Sequence, residues 1–237
     1  MSISLTNRIA VIIGATGQLG PAVAHAFADA GARLVLVGTP QTALDTLRIK
    51  LGYRESRVIT LAADPLSETD INAAAERVRE KFERADILLH LVGHFRGGTL
   101  AETSDELWDE MLNVNLRSAI FSVRAFLPLL TANEWGRIVT ISSGTTQSPP
   151  PNAAAYVSAK AALEAMTLSV AQEAKDKGVT ANVVLVRALD TNATREKSAP
   201  KKSGVVRPED VAATLLFLCS EEGGAITGAR IPVFGGS

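Results

Sequence analysis

Short apolar runs alternate with longer amphipathic stretches along almost the whole chain. The apolar runs are rich in Ile, Val and Leu, and they are apolar at consecutive positions rather than at every second one. That pattern is typical of strands that are covered on both faces. It predicts strands at Ile9–Ile13, Leu34–Val37, Val58–Ala62, Ile87–Val92, Ile138–Ser142, Val183–Val186 and Ile231–Phe234.

The stretches between these runs have helical periodicity and carry helix-end signals. Ser67 is suited to an N-cap, Gly31 to a C-cap, and Pro208 to the first turn of a helix. The pattern predicts helices at Pro21–Gly31, Thr42–Leu51, Ser67–Phe82 and Ala153–Lys177, two merged helices within Ser104–Leu130, and a last helix that starts at Arg207–Asp210.

Repeated strand–helix–strand units predict a parallel sheet with right-handed crossovers and helices on both faces. The expected fold class is therefore α/β, a three-layer doubly wound fold whose parallel sheet has roughly seven strands. The chain shows one composition throughout, without a long linker or an internal repeat, so residues 1–237 are predicted to form a single domain. Two segments look irregular, the proline-rich 145–152 and the basic 189–206.

Composition and charge exclude several function classes. The chain has 24 Lys and Arg, 25 Asp and Glu, and a formal net charge of −1, so no overall field favours nucleic acid or an anionic membrane. Three histidines without metal-ligand spacing argue against a metal site. Cys219, the only cysteine, lies in an apolar run, which predicts a buried structural residue and a reducing compartment. Without a signal-peptide pattern or a bilayer-length apolar stretch, we expect a soluble cytoplasmic protein.

A glycine-rich segment follows the first predicted strand and opens the first predicted helix. Its glycines permit a tight turn and the close approach of backbone to a pyrophosphate. The helix N-terminus adds N–H donors and the positive end of the helix dipole. The placement favours a dinucleotide-binding loop over a plain strand–helix turn. The cofactor-binding candidates in the loop are Gly14, Thr16, Gly17, Gln18, Leu19 and Gly20.

Two positions further along bear on which cofactor binds. The second predicted strand ends in Gly38-Thr39-Pro40, with no acidic residue to repel a 2′-phosphate, and Thr39 is able to donate to one. NADP is therefore favoured, with NAD as the alternative. Asp64 follows the third strand, and two interpretations stay open for it: an acceptor for the adenine amino group, or a helix cap beside Pro65.

Tyr156 and Lys160 are four residues apart in a predicted helix, so their side chains share one face. A tyrosine has an unperturbed pKa of about 10, and a nearby ammonium group favours the phenolate and lowers that pKa. We therefore expect a pair that gives or takes a proton near neutral pH. Ser143 ends the fifth predicted strand, where its hydroxyl would face the ligand crevice and hydrogen-bond a substrate carbonyl.

With these residues in register, the chain resembles the short-chain dehydrogenase/reductase family in its short, single-domain form. The resemblance implies a Rossmann fold and an NAD(P)-dependent oxidoreductase that acts on a small-molecule carbonyl or alcohol. The residues that carry it are Gly14, Gly17 and Gly20, Asn115, Ser143, Tyr156 and Lys160, and Ile226-Thr227-Gly228.

The resemblance also implies roles for four catalytic residues. Tyr156 would exchange a proton with the substrate oxygen, Lys160 would lower the pKa of Tyr156 and hold the nicotinamide ribose, and Ser143 would orient the substrate. Asn115 would hold a water molecule in a proton relay. Relatives commonly form dimers or tetramers, so a homo-oligomer is expected.

The chain departs from the family pattern where the cofactor would lie. Ile13 and Gln18 replace a threonine and a glycine of the usual loop. His90-Leu91-Val92-Gly93 stands in place of Asn-Asn-Ala-Gly, so the asparagine contacts are lost. Val92 and Gly93 are still expected to line the adenosine side through their backbone.

A further departure follows the sixth strand, where Arg187-Ala188 replaces Pro-Gly. Thr191 is expected to keep the contact with the nicotinamide amide. Arg187 is either a ligand of substrate or phosphate or the partner of a surface carboxylate, and the second interpretation is favoured.

Three functions stay open at this point. The leading hypothesis is hydride transfer between NAD(P)(H) and a carbonyl or secondary alcohol. The altered motifs lend some support to the alternative, a catalytically inactive NAD(P)-sensing regulator on the same fold. A third is another reaction on the scaffold, such as epimerisation or dehydration. The intact catalytic set favours the enzyme, since a sensor needs no proton donor.

Overall fold

The structure, a computed structural model, describes residues 3–190 and 205–235. The strands are β1 (Ile9–Ile13), β2 (Arg33–Gly38), β3 (Val58–Ala62), β4 (Ile87–His90), β5 (Gly136–Ser143), β6 (Val179–Val186), β7 (Ala188–Leu189), β8 (Val205–Val206) and β9 (Arg230–Val233). Seven of them form one parallel sheet in the spatial order β3-β2-β1-β4-β5-β6-β9. The two-residue strands β7 and β8 pair separately.

Seven α-helices connect the strands within the described residues. They are α1 (Gly20–Asp29), α2 (Gln41–Leu51), α3 (Glu68–Phe82), α4 (Asp105–Leu112), α5 (Ser118–Leu130), α6 (Ala154–Ala174) and α7 (Pro208–Leu218). A π-helical turn, Asn113–Arg117, joins α4 to α5, which confirms the prediction of two merged helices in this stretch. No helix among the described residues is both long and apolar enough to span a membrane.

The core consists of two apolar layers, one on each face of the sheet. Ala10 and Ile12 of β1 pack with residues of α1, α2 and α7, whereas Val11 and Ile13 pack with residues of α3, α5 and α6. Successive residues of one strand thus enter opposite layers, which is why the strands are apolar at consecutive positions. The predicted three-layer doubly wound fold is confirmed.

Most predicted element ends lie within two residues of the observed ends, whereas β6 begins at Val179, four residues before its predicted start. The Ser67 hydroxyl accepts the Asp70 N–H at 3.2 Å and caps α3 as predicted. Strand β4 ends at His90, two residues earlier than predicted: the Leu91 N–H still donates to the Ile13 carbonyl oxygen at 2.9 Å, and Leu91 and Val92 then line a cleft. The order of the sheet reverses between β1 and β4, and ligands of such sheets bind beyond the carboxyl ends of the strands at that point.

Candidate active site

A cleft of about 1080 Å³ lies beyond the carboxyl ends of β1, β4, β5 and β6. This exceeds the roughly 300–1,000 Å³ of a pocket for a single drug-sized molecule. Gly20, Asn115 and Asp64 do not line it, and Thr191 lies outside the described residues. The predicted site residues that line the cleft are Gly14, Thr16, Gly17, Gln18, Leu19, Thr39, Val92, Gly93, Ser143, Tyr156 and Lys160.

The glycine loop has the close packing that a phosphate cradle requires. Gly14 has a φ of +82°, and a Cβ there would lie 2.9 Å from Val92 Cγ2. A Cβ on Gly20 would lie 2.0 Å from the Ala15 carbonyl oxygen, so α1 is able to start this close to β1 only with glycine. Gly17 donates to the Gly14 carbonyl at 3.0 Å, which completes the turn. The loop therefore brings bare backbone and a helix N-terminus to the cleft and fits a dinucleotide pyrophosphate.

The end of β2 is joined to this loop. The Thr16 hydroxyl donates to the Thr39 carbonyl oxygen at 3.0 Å. The Thr39 side chain is exposed at the cleft, where the cofactor's ribose is expected in such folds. Within the described chain, no aspartate or glutamate lines the cleft, so nothing there disfavours a 2′-phosphate.

Asp64 makes local contacts that favour the helix-cap interpretation. Its Oδ1 accepts the Leu66 N–H at 2.9 Å, and its carbonyl oxygen accepts the Ser67 N–H at 3.0 Å. These bonds shape the turn that leads into α3. Pro65 lines the cleft beside it.

Ser143 is the last residue of β5 and lies in the cleft. Its Oγ accepts the Thr145 N–H at 3.2 Å and the Thr145 hydroxyl at 2.9 Å, which leaves its own proton free to be donated. Tyr156 lies in the first turn of α6 and packs edge-to-face with Phe95, with ring centroids 5.2 Å apart. Serine and tyrosine are thus brought together as predicted.

The electrostatics of Tyr156 differ from the prediction. Burial raises the pKa of Tyr156 above its ordinary value, and a hydrogen bond with Ser143 opposes that shift. The expected lowering by Lys160 was wrong for this state, because desolvation of the phenolate is the largest effect. The phenol is therefore protonated at neutral pH.

Lys160 lies at the bottom of the cleft and is almost fully buried. Its ammonium group donates to the Ile141 carbonyl oxygen at 2.9 Å. Burial lowers the pKa of Lys160 to about 8, and the carboxylate of Glu164 opposes that shift. At neutral pH the group carries a positive charge that is held by one backbone carbonyl.

Asn115 lies behind the cleft, in the π-helical turn between α4 and α5. Its amide nitrogen donates to the carbonyl oxygens of Met111 at 3.1 Å and His94 at 3.0 Å. Its Oδ1 is buried and has no partner. A Cβ on Gly93 would lie 2.8 Å from this oxygen and 2.7 Å from Lys160 Nζ, so the glycine keeps a gap between the two polar groups. That gap suits a small hydrogen-bonding molecule such as water.

Three functional neighbours were not predicted from the sequence. Ser142 donates to Glu164 Oε1 at 2.6 Å, and Arg230 donates to Glu164 Oε2 at 2.7 Å. Glu164 is buried one helical turn after Lys160, so this network supplies the negative charge nearest to that ammonium group. The four-residue spacing between Lys160 and Glu164 is a local signal for Glu164, but no local signal identifies Ser142 or Arg230.

His90 occupies the position of the first missing asparagine and is fully buried. One ring nitrogen is 3.1 Å from the Ser118 hydroxyl, and the other has no partner. Burial and the charge of Lys160 lower the pKa of His90 to about 3. The imidazole is therefore neutral and belongs to the wall of the site, not to its acid–base chemistry.

Arg187 follows β6 and lines the cleft. Its guanidinium carbon lies 4.5 Å from the centroid of the Phe234 ring. The favoured expectation of a surface carboxylate partner was wrong for the described part of the chain, where Arg187 forms no ion pair. A cation–π contact takes that place because Phe234 follows the neighbouring strand β9.

One expected structural feature agrees with the prediction. Cys219 is buried, and burial raises the pKa of its thiol. Among residues 3–190 and 205–235, no group of His, Cys, Asp and Glu side chains is arranged to hold a metal ion.

Comparisons with known proteins place this geometry in a family. A family model described as Enoyl-(Acyl carrier protein) reductase matches residues 14–237. The chain is 29% identical over 239 residues to the 3-oxoacyl-[acyl-carrier-protein] reductase FabG of Escherichia coli (strain K12), covering 97% of both chains. It is 30% identical over 246 residues to the (2S)-[(R)-hydroxy(phenyl)methyl]succinyl-CoA dehydrogenase subunit BbsD of Thauera aromatica, covering 98% of this chain and 97% of that one.

A solved structure extends the similarity to three dimensions. The chain matches the NADPH-bound structure of a short-chain oxidoreductase from Pseudomonas aeruginosa PAO1 that contains an atypical catalytic center. The TM-score is 0.89 at 28% sequence identity, and the match covers 99% of this chain and 98% of the other. Fold and chain length therefore agree from end to end.

Proposed function

The chain belongs to the short-chain dehydrogenase/reductase family of NAD(P)-dependent oxidoreductases, and we propose that it uses NADPH to reduce the carbonyl group of a small molecule. The observation that carries the proposal is the convergence of Ser143, Tyr156 and Lys160 in the cleft that the glycine loop opens. One cavity thus combines a proton donor, a carbonyl-polarising hydroxyl and a dinucleotide cradle.

The bound nicotinamide supplies the hydride. Tyr156 donates its phenolic proton to the carbonyl oxygen of the substrate as that oxygen gains negative charge. Ser143, whose Oγ already accepts from Thr145, points its own proton at the same oxygen and stabilises the developing charge. Because burial raises the pKa of Tyr156, the free protein holds the phenol in the protonated form that a reduction needs.

After Tyr156 has donated its proton, Lys160 and Asn115 behind it would help to return a proton to the phenolate. The Lys160 ammonium group stabilises the phenolate that is left after proton donation. A water molecule in the gap beside Gly93 would accept from Lys160 and donate to the unpaired Oδ1 of Asn115. These two groups therefore form the start of a proton relay.

NADPH is proposed over NADH because of the end of β2. Thr39 donates a hydroxyl where an acidic residue would accept from an unphosphorylated ribose, and no acidic residue among those described lines the cleft. The similar oxidoreductase from Pseudomonas aeruginosa is NADPH-bound, which supports the same choice.

Two statements about the whole molecule are also proposals. We propose that residues 1–237 act as one catalytic domain, and that the chain assembles as a dimer or tetramer. Small residues on α6, such as Ala161 and Ala165, permit close helix packing between copies. A molar mass from light scattering in solution tests the assembly directly.

The test of function is NADPH oxidation with a panel of ketones, aldehydes and 3-oxoacyl thioesters. We expect turnover of at least one class and its loss by roughly 10²–10⁴-fold in Tyr156→Phe. The matched control is Tyr53→Phe, since Tyr53 is the other tyrosine and bonds Asp29 on the surface. NADPH binding without turnover on any class would favour the inactive sensor, and full activity in Tyr156→Phe would refute the mechanism.

A further inference from the structure

Arg187 lies next to the proposed reaction centre. Val186 pairs with Ser143 across β5 and β6, so the residue that follows each of them lies at the same level of the cleft. A Cβ on Gly144 would lie 3.3 Å from Arg187 Cγ and 2.9 Å from the Phe234 ring. The arginine is thus packed against the residue after the substrate-polarising serine.

The guanidinium group of Arg187 is held in place but keeps its hydrogen-bonding capacity. One face stacks over Phe234 at 4.5 Å, and the side chain is otherwise exposed to the cleft. None of its five N–H donors bonds to an acceptor within residues 3–190 or 205–235. A planar fork of donors that is oriented by stacking matches the two oxygens of a carboxylate.

The cofactor's own phosphates do not account for this arginine. The glycine loop follows β1, and three strand spacings separate β1 from β6 in the sheet. At about 4.8 Å per spacing, the two sites are roughly 14 Å apart. The loop is the pyrophosphate cradle, and Thr39 on β2 is one strand further away, so Arg187 belongs to the substrate end.

The charge of the cleft agrees with an anionic substrate. Lys160 and Arg187 line the described cleft and no aspartate or glutamate does; Glu164, behind the cleft, acts on the charge of Lys160 and not on Arg187. The Lys160 ammonium group already donates to Ile141, which leaves Arg187 as the accessible cation. Across from it, the exposed ring of Phe95 and the ring of Pro150 offer an apolar wall.

We propose that Arg187 binds a carboxylate of the substrate, and that this enzyme reduces oxo acids whose carboxylate is only a few atoms from the reacting carbonyl. This inference rests on the proposed reductase function and narrows its substrate class. Ser143 and Arg187 lie at the ends of neighbouring strands, which are about 4.8 Å apart, and this closeness sets the spacing between carbonyl and carboxylate. The apolar wall receives the remainder of the substrate.

The experiment compares each oxo acid with its own methyl ester, which has the same carbonyl but no charge. Acetoacetate, levulinate and their methyl esters are assayed with NADPH on the wild-type protein and on Arg187→Gln and Arg187→Lys. A hydrogen bond to a charged group contributes roughly 1.5–3 kcal/mol, so Arg187→Gln should lower the acid-to-ester ratio of kcat/KM by about 10- to 100-fold. Arg187→Lys should recover only part of the ratio, because it keeps the charge and loses the fork.

Arg33→Gln is the control for net charge. Arg33 is exposed at the amino end of β2, at the opposite edge of the sheet, so its removal should leave the ratio unchanged. Calorimetric titration of levulinate into the NADP⁺-bound protein, which holds no hydride to transfer, gives a readout without turnover, and Arg187→Gln should weaken that binding by a similar factor.

Each outcome separates this inference from the proposed function. A wild-type protein that reduces esters as well as acids, with an unaffected ratio in Arg187→Gln, keeps the reductase and overturns the carboxylate site. Equal losses for acid and ester, or a raised KM for NADPH, would assign Arg187 to cofactor binding instead. Absence of turnover on every substrate refutes the reductase, and the titration still decides whether Arg187 binds a carboxylate.

Discussion

The parallel strands of the sheet all begin at one edge, the amino edge, and all end at the other, the carboxyl edge. Buried charged and polar groups are bonded differently at these two edges. At the amino edge, Asp86 is fully buried just before β4. It accepts the Ile9 N–H at 2.8 Å and the Asn133 amide at 3.1 Å, and Arg8 and Arg84 lie within 3.7 and 3.4 Å. Every oxygen of this buried carboxylate has partners from the chain itself.

At the carboxyl edge, buried polar groups lack such partners. Lys160 has one carbonyl acceptor, the Oδ1 of Asn115 has none, and one ring nitrogen of His90 has none. The Arg187 guanidinium has a stacking partner but no acceptor among the described residues.

This difference distinguishes buried polar groups that support the fold from buried polar groups that are available to bind a ligand. A buried polar group without a partner costs stability, whereas a fully bonded one supports the fold. Among the described residues, four buried side-chain atoms lack a partner: Trp135 Nε1 and Thr180 Oγ1 lie near the amino ends of β5 and β6, whereas Asn115 Oδ1 and His90 Nδ1 lie beside the cleft. Only the second pair lies where a cofactor and substrate would bind. Substitutions at the two edges should have opposite consequences for stability and activity.

The largest effect is expected from removing the charge of Lys160. Lys160→Met keeps the length of the side chain and deletes the ammonium group. Because the phenolate of Tyr156 then forms in a buried site without a cation, we expect the rate to fall by roughly 10²–10⁴-fold. Steady-state NADPH oxidation at saturating substrate measures the loss, and an unchanged rate would remove Lys160 from the mechanism.

The same variant should lose no stability, because replacing a buried charge by an apolar group of similar size is often neutral or stabilising. The pKa of Lys160 is about 8 in the fold and 10.5 ordinarily, so the unfolded chain binds more protons between these values. Wild-type stability should therefore rise relative to the variant as pH increases through that window. Urea unfolding at about pH 7 and about pH 9.5 tests this sign.

Asp86→Ala should show the reverse pattern at the amino edge. Removing the carboxylate leaves the Ile9 N–H and the Asn133 amide without this acceptor and takes a counter-charge from Arg8 and Arg84, so we expect unfolding to become easier by about 3–5 kcal/mol. The rate of the folded variant should equal that of the wild type. Glu55→Ala is the control, because Glu55 pairs with Arg48 on the surface, where such a pair contributes about 1 kcal/mol or less. If Asp86→Ala instead had normal stability and low activity, the proposed difference in role between the two edges would be wrong.

Local patterns were enough to predict most of the fold. Strand β1 was predicted to the residue, because each of its positions enters an apolar layer. The proposed catalytic residues Tyr156, Lys160 and Ser143 were recognisable because their types and spacing are local. Apolarity failed at Leu91 and Val92, where it marks a ligand cleft and not a strand.

The features of the site that could not be predicted from the sequence depend on contacts between residues that are far apart in the chain. Glu164 is an ordinary polar residue of α6 by pattern, and its partners Ser142 and Arg230 are 22 and 66 residues away. The direction of the Tyr156 pKa shift depends on burial, which no spacing shows. Arg187 stacks on the ring of Phe234 and not on a carboxylate among the described residues, and this contact between distant residues was likewise not predictable from local sequence.

A carboxylate added to the cleft, which no aspartate or glutamate lines among the described residues, should change the cofactor preference. In Thr39→Asp, the new side chain would repel a 2′-phosphate and accept from a 2′-hydroxyl. We expect the ratio of kcat/KM for NADPH to that for NADH to fall roughly tenfold or more, since tenfold corresponds to only about 1.4 kcal/mol. Thr69→Asp, an exposed change on α3, adds the same charge away from the cleft and should leave the ratio unchanged. A ratio that falls equally in both variants would contradict the role of Thr39.

The smallest effect is expected at Glu164, the one buried carboxylate bonded beside the carboxyl-edge cation Lys160. Glu164 raises the pKa of Lys160, while burial lowers it, and His90 from β4 and Tyr156 from α6 also face this region. Glu164→Gln keeps the shape and an acceptor for Ser142 but removes the charge. The pKa of Lys160 should then fall below about 8, so the alkaline limb of the kcat/KM profile should move to lower pH by less than about one unit.

Glu173→Gln on the exposed face of α6 is the matched control and should leave the pH profile unchanged. A purely structural role for Glu164 predicts a different result, a uniform loss of activity at every pH with the limb in place. A displaced limb with normal activity at lower pH would mean that Glu164 acts through the charge of Lys160. Among the described residues, Glu164 is then the buried carboxylate of the carboxyl edge that keeps Lys160 cationic without filling the cleft.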